Sequence, residues 1–182
     1  NILNMIFIEQ KIEGVFLIKP KLFKDDRGIF RRHFCETEFL KKKITSKIRQ
    51  ANVSINYKKG TLRGFHYQTK PYEEDKTMSC LKGEIFDIIV DLRKKSKTYL
   101  KWMSFRLSEK NKFAIHIPRG CANSFLTLKD NTIVHYYCSQ NYNPKYEGGI
   151  NFDDPKFKFK WPIKPKIVSK KDRNIPFFKQ DT

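Results

Sequence analysis

The chain has 182 residues, 39% of them hydrophobic and 14% aromatic, and its 38 Lys and Arg against 19 Asp and Glu give a formal net charge of +19. This apolar content excludes an intrinsically disordered chain. No run approaches the roughly 18–20 apolar residues of a membrane-spanning helix, so no membrane segment is expected. The excess of positive charge places nucleic-acid binding among the functions to be tested.

Short runs of alternating apolar and polar residues, the pattern of half-buried strands, follow one another along the chain. In order they are Gly14–Ile18, Ile29–Cys35, Ile48–Tyr57, Thr61–Gln68, Phe86–Leu92, Met103–Leu107, Phe113–Ile117 and Thr132–Ser139. Turn residues separate them, and Thr37–Lys43 is the best candidate for a helix. Many short strands with few helices predict an all-β fold, a β-sandwich or jelly roll. Neither a linker nor a repeat divides residues 1–182, so we expect a single domain.

Two of these strands carry pairs of polar residues on one face. Gln50 and Asn52 are two positions apart, as are His66 and Gln68, so each pair points to the same side of its strand. If these faces turn inward, the side chains line a cavity and define its chemistry. If they turn outward, they form an ordinary solvated face. The strand pattern leaves both interpretations open.

The cysteines and histidines give no sign of a metal centre or a redox site. Cys35, Cys80, Cys121 and Cys138 form no CxxC pair, and the histidines include no His-x-His spacing. We therefore expect no metal and no cofactor. The opening NILNMIFIEQ lacks the basic n-region and the cleavage site of a signal peptide, so we expect a cytoplasmic protein with reduced thiols.

One run of residues carries a resemblance to a known family. Thr61–Gln68 reads TLRGFHYQ and is similar to LRGLHYQ or LRGLHFQ, the hallmark of the dTDP-4-dehydrorhamnose 3,5-epimerase family. Counterparts of other family motifs follow in order: GEIFD at 83–87, YLKW at 99–102, IPRG at 117–120, FDDP at 152–155, WP at 161–162 and SKKD at 169–172. The resemblance implies a cupin-type jelly roll assembled as a homodimer. It also implies a cofactor-free epimerase of a nucleotide-linked 4-keto-6-deoxyhexose, first of all dTDP-4-dehydro-6-deoxy-D-glucose, in deoxysugar synthesis for a surface polysaccharide.

The resemblance implies four catalytic residues: His66, Asp172, Tyr136 and Lys76. A ketone at C4 acidifies the protons at C3 and C5, because either carbanion is delocalised onto the C4 oxygen as an enolate. An imidazole titrates near neutral pH and suits the base, so His66 takes that role while Asp172 holds its tautomer. Tyr136 would return a proton from the opposite face, and Lys76 would offset the charge of the enolate.

The same resemblance implies the residues that bind the nucleotide sugar. Arg63 matches the family's diphosphate-binding arginine, and its guanidinium fork donates in parallel to a diphosphate. The other positions are Gln50, Asn52, Tyr142 and Glu147 around the sugar nucleotide, with Arg27 and Phe30 contributed by the partner subunit. Arg63 and His66 are three positions apart, so a regular strand would place them on opposite faces. A bulge at Gly64, the end of the strand there, or entry of Arg63 from the rim would each resolve this.

Two positions depart from the family pattern. Asn123, which the resemblance places among the substrate-binding residues, stands where the family has a histidine. Its amide donates a hydrogen bond but does not become cationic at pH 7. Arg32 stands where family members commonly have an acidic residue near the base-binding region. These departures leave open a monoepimerase that acts at C3 alone and a substrate with another nucleotide.

Two further classes stay open beside the epimerase. A 3,4-ketoisomerase acting on a related nucleotide sugar would also use a base, although Lys76 together with Tyr136 favours epimerisation. A non-enzymatic basic binding module is suggested by 156–161, where lysines alternate with aromatic residues. The simpler interpretation of this run is a strand with its lysines outward and its rings packed inward. We therefore expect a nucleotide-diphosphate sugar as the partner, with no nucleic acid and no membrane.

Overall fold

Strands, most of them paired antiparallel, are the main regular secondary structure of the computed structural model, which describes residues 5–179. They are β1 (Met5–Glu9), β2 (Phe16–Pro20), β3 (Leu22–Asp25), β4 (Gly28–Arg31), β5 (Gln50–Asn56), β6 (Thr61–Gln68), β7 (Lys76–Lys82), β8 (Glu84–Asp91), β9 (Trp102–Ser108), β10 (Ala114–Ile117), β11 (Cys121–Thr127), β12 (Thr132–Cys138), β13 (Glu147–Gly149) and β14 (Ile167–Val168). The helices are α1 (Glu36–Lys41), α2 (Lys170–Arg173) and a 3-10 turn at Pro144–Tyr146. The first four residues of the opening NILNMIFIEQ lie outside the described part, in which no helix is long and apolar enough to cross a membrane.

The strands form two large sheets that pack face to face. One has the order β1-β2-β10-β7-β12-β5, and the other has the order β13-β6-β11-β8-β9 with β14 alongside β6. Their inner faces share a core that joins Met78 and Val134 of the first sheet to Ile85, Ile89 and Phe125 of the second. The predicted all-β sandwich of the jelly-roll type is therefore confirmed.

Each sheet is also partly covered on its outer face. Helix α1 places Phe39 against Ile18 and Tyr137 on the first sheet. The segment after β13 places Phe157 in a cluster with Phe65 on the second sheet. Strands in the middle of each sheet are consequently buried on both faces over much of their length.

The segment 156–161 is not the strand that its alternation suggested. It begins in a turn and continues without regular secondary structure, and Lys158 has a φ of 50°, in the left-handed region, which interrupts any extended run. The packing was nevertheless predicted correctly, because Phe157, Phe159 and Trp161 join the outer cluster while the intervening lysines are exposed. The run is a packed, irregular cover for the sheet.

Predicted and observed boundaries mostly differ by one or two residues. β6 begins and ends at the predicted residues, Thr61 and Gln68. The exception is the run Ile29–Cys35, whose strand ends at Arg31 because the chain turns toward α1, with Cys35 as the residue that precedes the helix. That helix was expected at Thr37–Lys43 and occupies Glu36–Lys41.

A bulge in β6 brings Arg63 and His66 to the same side of the strand. His66 pairs with Asn123 and Arg63 pairs with Phe125, so three steps along β6 face two steps along β11. Gly64 within the bulge has a φ of 109°, and a Cβ there would lie 2.6 Å from the Asn123 carbonyl oxygen. The bulge at Gly64 is therefore the alternative that the structure adopts, and Arg63 and His66 line one cavity.

Candidate active site

Two cavities open between the sheets and meet at three side chains. The wide cavity, of about 630 Å³, is lined by parts of β5, β6, β7, β11, β12, β14 and α2. The narrow cavity, of about 290 Å³, is lined by parts of β5, β6, β7, β12 and β13 and by Tyr142. His66, Lys76 and Tyr136 line both cavities. Three of the four predicted catalytic residues therefore meet at one junction.

The fourth, Asp172, lies directly behind His66. Nε2 of His66 is 2.8 Å from Oδ1 of Asp172, and Oδ2 accepts a hydrogen bond of 3.2 Å from the Gly64 amide. Burial raises the pKa of Asp172, but the hydrogen bonds from His66 and Gly64 outweigh it, so the net pKa lies below its ordinary value. An ionised carboxylate only accepts, so Nε2 carries the ring proton and Nδ1 keeps the lone pair of a base.

Lys76 begins β7 and is held from three sides. Nζ donates to Oδ1 of Asn123 at 3.1 Å, lies 3.8 Å from Oε1 of Glu74, and stands 5.7 Å from the centre of the Tyr136 ring. Burial raises the pKa of Tyr136, with the charge of Lys76 acting against it. The phenol therefore stays protonated at neutral pH and is able to donate a proton beside a fixed ammonium group.

Asn123 occupies the site as the resemblance implied, but protein groups engage both ends of its amide. Its Oδ1 accepts from Lys76, and its Nδ2 donates to Oδ1 of Asp87 at 2.9 Å. Asp87 is fully buried, and its Oδ2 has no hydrogen-bond partner among residues 5–179. Burial raises the pKa of Asp87 to about 7, against the Asn123 hydrogen bond and the Lys76 charge.

The remaining sugar-side residues surround the narrow cavity. The Tyr142 hydroxyl donates to Oε2 of Glu147 at 2.8 Å, and the Tyr142 amide donates to Oε1 of Gln50 at 2.7 Å. Lys171 donates to the same Glu147 oxygen. Burial raises the pKa of Glu147, but the hydrogen bonds from Lys171 and Tyr142 outweigh it and the net pKa lies below its ordinary value. Gln50 and Asn52 both line this cavity, which confirms the inward interpretation of their face.

Gln68 shares that inward face with His66, but its amide has a supporting task. Its Nε2 donates to the carbonyls of Tyr72 and Asn141, and its Oε1 accepts from the Asn143 amide at 2.6 Å. Gln68 thereby ties the loop that carries Tyr142 to the end of β6. Its polar atoms hold the wall of the narrow cavity together.

Arg63 lies on the wall of the wide cavity. Its Nε donates to Oδ1 of Asn56 at 2.8 Å, which fixes the plane of the guanidinium group. The terminal nitrogens carry its remaining donors, in the fork that suits a diphosphate. The bulge at Gly64 thus lets one strand present an imidazole and a guanidinium group to the same cavity.

Arg27 and Phe30 do not reach either cavity of their own chain. They lie on the hairpin of β3 and β4, where Phe30 is 67% exposed and Arg27 pairs with Asp25 at 2.6 Å. The hairpin is exposed along almost its whole length. Within a single chain the structure therefore leaves these two predicted residues apart from the other ten.

The described part of the chain contains neither a metal-binding cluster nor a disulfide. Among residues 5–179 no three His, Cys, Asp or Glu side chains come together in a way that would hold a metal ion. Cys35, Cys80, Cys121 and Cys138 are free thiols.

Two residues of the site were given no role by the sequence. Lys171 bridges the two cavities, since it lines the wide one and pairs with Glu147 of the narrow one. Asp87 supports Asn123. Two signals were available for Asp87: it is the last residue of the family-like GEIFD, and it is a charged residue alternating with apolar neighbours in the middle of a strand. Lys171 lies within the family-like SKKD, but only Asp172 of that run was given a role.

Comparison with known proteins places this geometry among characterised relatives. A family model described as dTDP-4-dehydrorhamnose 3,5-epimerase matches residues 9–180. The chain is 41% identical over 172 residues to the protein of that name from Methanothermobacter thermautotrophicus, covering 92% of this chain and 91% of the relative.

Two solved structures are similar over nearly the whole chain. The dTDP-4-dehydrorhamnose 3,5-epimerase of Bacillus anthracis, with TDP and pyrophosphate bound, has a TM-score of 0.92 and 35% identity, covering 96% of this chain and 99% of that one. The dTDP-6-deoxy-D-glucose-3,5-epimerase of Legionella pneumophila, in complex with dTDP-4-keto-L-rhamnose, has a TM-score of 0.90 and 34% identity, covering 95% of this chain and 92% of that one.

Proposed function

The chain belongs to the dTDP-4-dehydrorhamnose 3,5-epimerase family, and from this premise we propose that His66 is the base with which it inverts C3 and C5 of dTDP-4-dehydro-6-deoxy-D-glucose. The enzyme is an isomerase of nucleotide-linked deoxysugars, as its relatives are. One observation carries the assignment of residues: the His66–Asp172 pair, Lys76 and Tyr136 meet where the two cavities join.

The two cavities suit the two halves of such a substrate. Arg63 and Lys171 put positive charge on the wide cavity, which we assign to the nucleotide and its diphosphate. Gln50, Asn52 and Tyr142 put hydrogen-bonding groups on the narrow cavity, which we assign to the hexose. The bound TDP and dTDP-sugar of the relatives support a nucleotide sugar as the ligand. This placement brings the carbons beside the C4 ketone to the junction.

The proposed reaction moves one proton off each carbon and another onto its opposite face. Nδ1 of His66 removes the proton, and Asp172 stabilises the imidazolium that forms. The electron pair of the broken C–H bond moves onto the C4 oxygen as an enolate, which the Lys76 ammonium stabilises. Tyr136 then protonates the carbon from the other side, and exchange with solvent restores both groups before the second carbon reacts.

Nuclear magnetic resonance in D₂O tests this proposal directly. With dTDP-4-dehydro-6-deoxy-D-glucose we expect deuterium at both C3 and C5. Deuterium at C3 alone would make the enzyme a monoepimerase, and transfer of the ketone from C4 to C3 would make it the ketoisomerase. Absence of exchange at both carbons would refute this substrate. Binding to DNA measured at increasing salt concentration tests the alternative of a basic binding module. Phosphate contacts would make the logarithm of the binding constant fall steeply with the logarithm of the salt concentration.

The assignment of the base has its own test. His66→Ala should lower the exchange rate by about 10³–10⁴-fold, because it removes base catalysis. His135→Ala is the matched control, since His135 is a partly buried histidine on β12 that lines neither cavity. Substantial exchange by a folded His66→Ala protein would show that another group is the base.

We further propose that the enzyme works as a homodimer in which the β3–β4 hairpin of a second copy supplies Arg27 and Phe30. The high exposure of Phe30 and the position of the hairpin outside both cavities support this arrangement. An aromatic side chain this exposed favours burial against another surface. The single domain of residues 1–182 would then be the unit that pairs.

Mixed dimers separate a shared site from a self-contained one. Co-expression of His66→Ala chains with Arg27→Ala chains should restore kcat/KM to about a quarter of the wild-type value, because half of randomly formed two-fold dimers contain one intact site. Co-expression of Lys24→Ala chains with wild-type chains is the control from the same hairpin. If mixing restores nothing beyond the activity of the separate variants, the hairpin does not act across the dimer.

We also propose the cytoplasm as the compartment of the enzyme. The four free cysteines support this, because thiols persist in a reducing compartment. Fractionation of the native cells, with the enzyme followed by its exchange activity, tests the location.

A further inference from the structure

The carboxyl group of Asp87 lies in an environment that is unfavourable for the stability of the fold. Its side chain is on the inner face of β8, between Ile85 and Ile89 of the apolar core, and it is fully buried. One carboxyl oxygen accepts from Asn123, and the other has no hydrogen-bond partner among the described residues. A buried carboxyl with an unsatisfied oxygen destabilises a fold, and an apolar side chain would pack better there. The position therefore calls for an explanation outside stability.

Hydrogen bonds connect Asp87 to the junction of the cavities. The Asn123 amide has a donating end and an accepting end, and Oδ1 of Asp87 accepts from the donating end at 2.9 Å. The accepting end is thereby turned toward Lys76, which donates to it at 3.1 Å. With the amide reversed, its NH₂ group would face the ammonium group, donor against donor. Asp87 selects the orientation in which Asn123 is able to hold Lys76.

Asn123 is also the closest polar support of Lys76. Glu74 lies 3.8 Å from Nζ, and the Tyr136 ring offers a broad attraction at 5.7 Å from its centre. A single hydrogen bond of ordinary length therefore fixes the direction of the ammonium group. The charge of Lys76 in turn lowers the pKa of Asp87 against the effect of burial, so the two groups are coupled electrostatically.

We propose that Asp87 is a positioning residue for the epimerisation: through the Asn123 amide it fixes the Lys76 ammonium group where the enolate forms. The inference rests on the proposed role of Lys76. Asp87 itself touches neither the substrate nor the reacting atoms. A chain with an amide at 123 needs this second support, because an amide has two ends of nearly equal shape and its other side-chain partner in the described residues, Lys76, is the group that it has to hold.

The test replaces Asp87 and follows kcat separately from binding. Asp87→Leu should lower kcat by about 10²-fold, the effect of a misplaced catalytic group. KM and the dissociation constant of dTDP should stay within about twofold, because Arg63, the proposed diphosphate contact, is held by Asn56 and not by Asp87 or Asn123. Asp87→Asn, a second variant of nearly the same shape, should lower kcat by a smaller factor. Rates are expressed per dTDP-binding site, so that loss of folded protein does not imitate loss of catalysis.

Ser79→Ala is the matched control. Ser79 is a buried residue of β7 whose hydroxyl also has no hydrogen-bond partner among the described residues, and it lines neither cavity. Its removal should leave kcat unchanged. Wild-type kcat in both Asp87 variants would overturn the proposal, and so would an equal fall in kcat for Ser79→Ala.

Asn123 is the bridge between Asp87 and Lys76, and its substitution gives a readout that a structural role would not produce. An imidazole also accepts at one nitrogen and donates at the other, so Asn123→His should retain far more activity than Asn123→Leu. Equal activity of these two variants would contradict the bridge. Deuterium exchange by the wild-type enzyme tests the proposed function separately, so its failure is distinguishable from failure of this inference.

Discussion

Asp87 and Asp91 lie on the same inner face of β8, Asp87 in the middle of the strand and Asp91 at its end, and their environments are opposite. Asp91 accepts from Arg93 at 2.8 Å, from Ser96 at 2.6 Å and from Thr98 at 2.7 Å. Burial raises its pKa, but these hydrogen bonds outweigh burial and hold the pKa at about 2. Asp87 has one hydrogen bond and a pKa raised to about 7.

The difference separates a structural carboxylate from one that serves the site. Asp91 satisfies its acceptors with groups from the loop that follows β8, so it stabilises that loop. Asp87 leaves an oxygen unsatisfied next to the group that supports Lys76. Burial alone would not distinguish the two residues. They differ in how many of their carboxylate oxygens accept a hydrogen bond.

The largest effect is expected for Asp172, the carboxylate that contacts the proposed base His66. Asp172→Asn should lower kcat by about 10⁴-fold, because a neutral amide is able to favour the wrong imidazole tautomer and leaves the imidazolium unpaired. Its melting temperature should change little. Asp154→Asn is the matched structural control, since Asp154 is buried and accepts from the amides of Lys156 and Phe178. If Asp172→Asn had a lower melting temperature and an unchanged kcat, Asp172 would be a structural carboxylate instead.

Replacement of Asp91, at the end of β8, should have the opposite effect, on the melting temperature instead of on turnover. Asp91→Ala leaves Arg93 without its carboxylate, and breaking a buried ion pair from one side costs about 3 kcal/mol. For a chain of this size we expect the melting temperature to fall by about 10 °C, measured by calorimetry. Turnover per folded molecule should be unchanged. A fall in turnover without a fall in melting temperature would show that Asp91 also serves the site.

The smallest effect concerns the pH dependence of stability. The folded chain holds the Asp87 proton more tightly than the unfolded chain, so the stability contribution of this group declines as pH rises from about 4 to about 7. The contribution of Asp91 has the other sign: it is present above about pH 4 and is lost as pH falls toward 2.

The melting temperature of Asp87→Asn minus that of the wild type should therefore rise by several degrees between pH 4 and pH 7. This difference should not rise further at higher pH. The difference between the two curves, followed by calorimetry at half-unit steps, removes the contributions of the histidines that both proteins share. A constant difference across this range would mean that Asp87 does not titrate there.

Strand alternation predicted much of the sandwich but missed its centre. β11 reads CANSFLT and is buried at every position, so it carries no period of two. β7 begins inside the polar segment that contains Glu74 and Lys76, and its outer face is buried over part of its length. Alternation in the sequence reveals a strand that is buried on one face. A strand that is buried on both faces lacks this alternation and is inferred only from the strands predicted on either side of it.

The candidate site was predicted at the residues to which the family resemblance gives a role, and it was missed where the pairing of strands defines the role. His66, Lys76 and Tyr136 meet as expected. The role of Asp87 depends on its hydrogen bond to Asn123, a residue 36 positions away. Long-range pairing of this kind follows from the register of two strands, and no local pattern of residues specifies it.

The bulge at Gly64 has a consequence for protein engineering. Arg63 and His66 stand on one wall only because β6 has one more residue than β11 in that stretch. Grafting this chemistry onto a regular β-sheet would require the extra residue and its glycine to be transferred together with the two side chains. Deleting Gly64 to make the strand regular would move either Arg63 or His66 to the opposite face of the sheet, so the presence of one residue decides whether the guanidinium and imidazole groups face the same cavity.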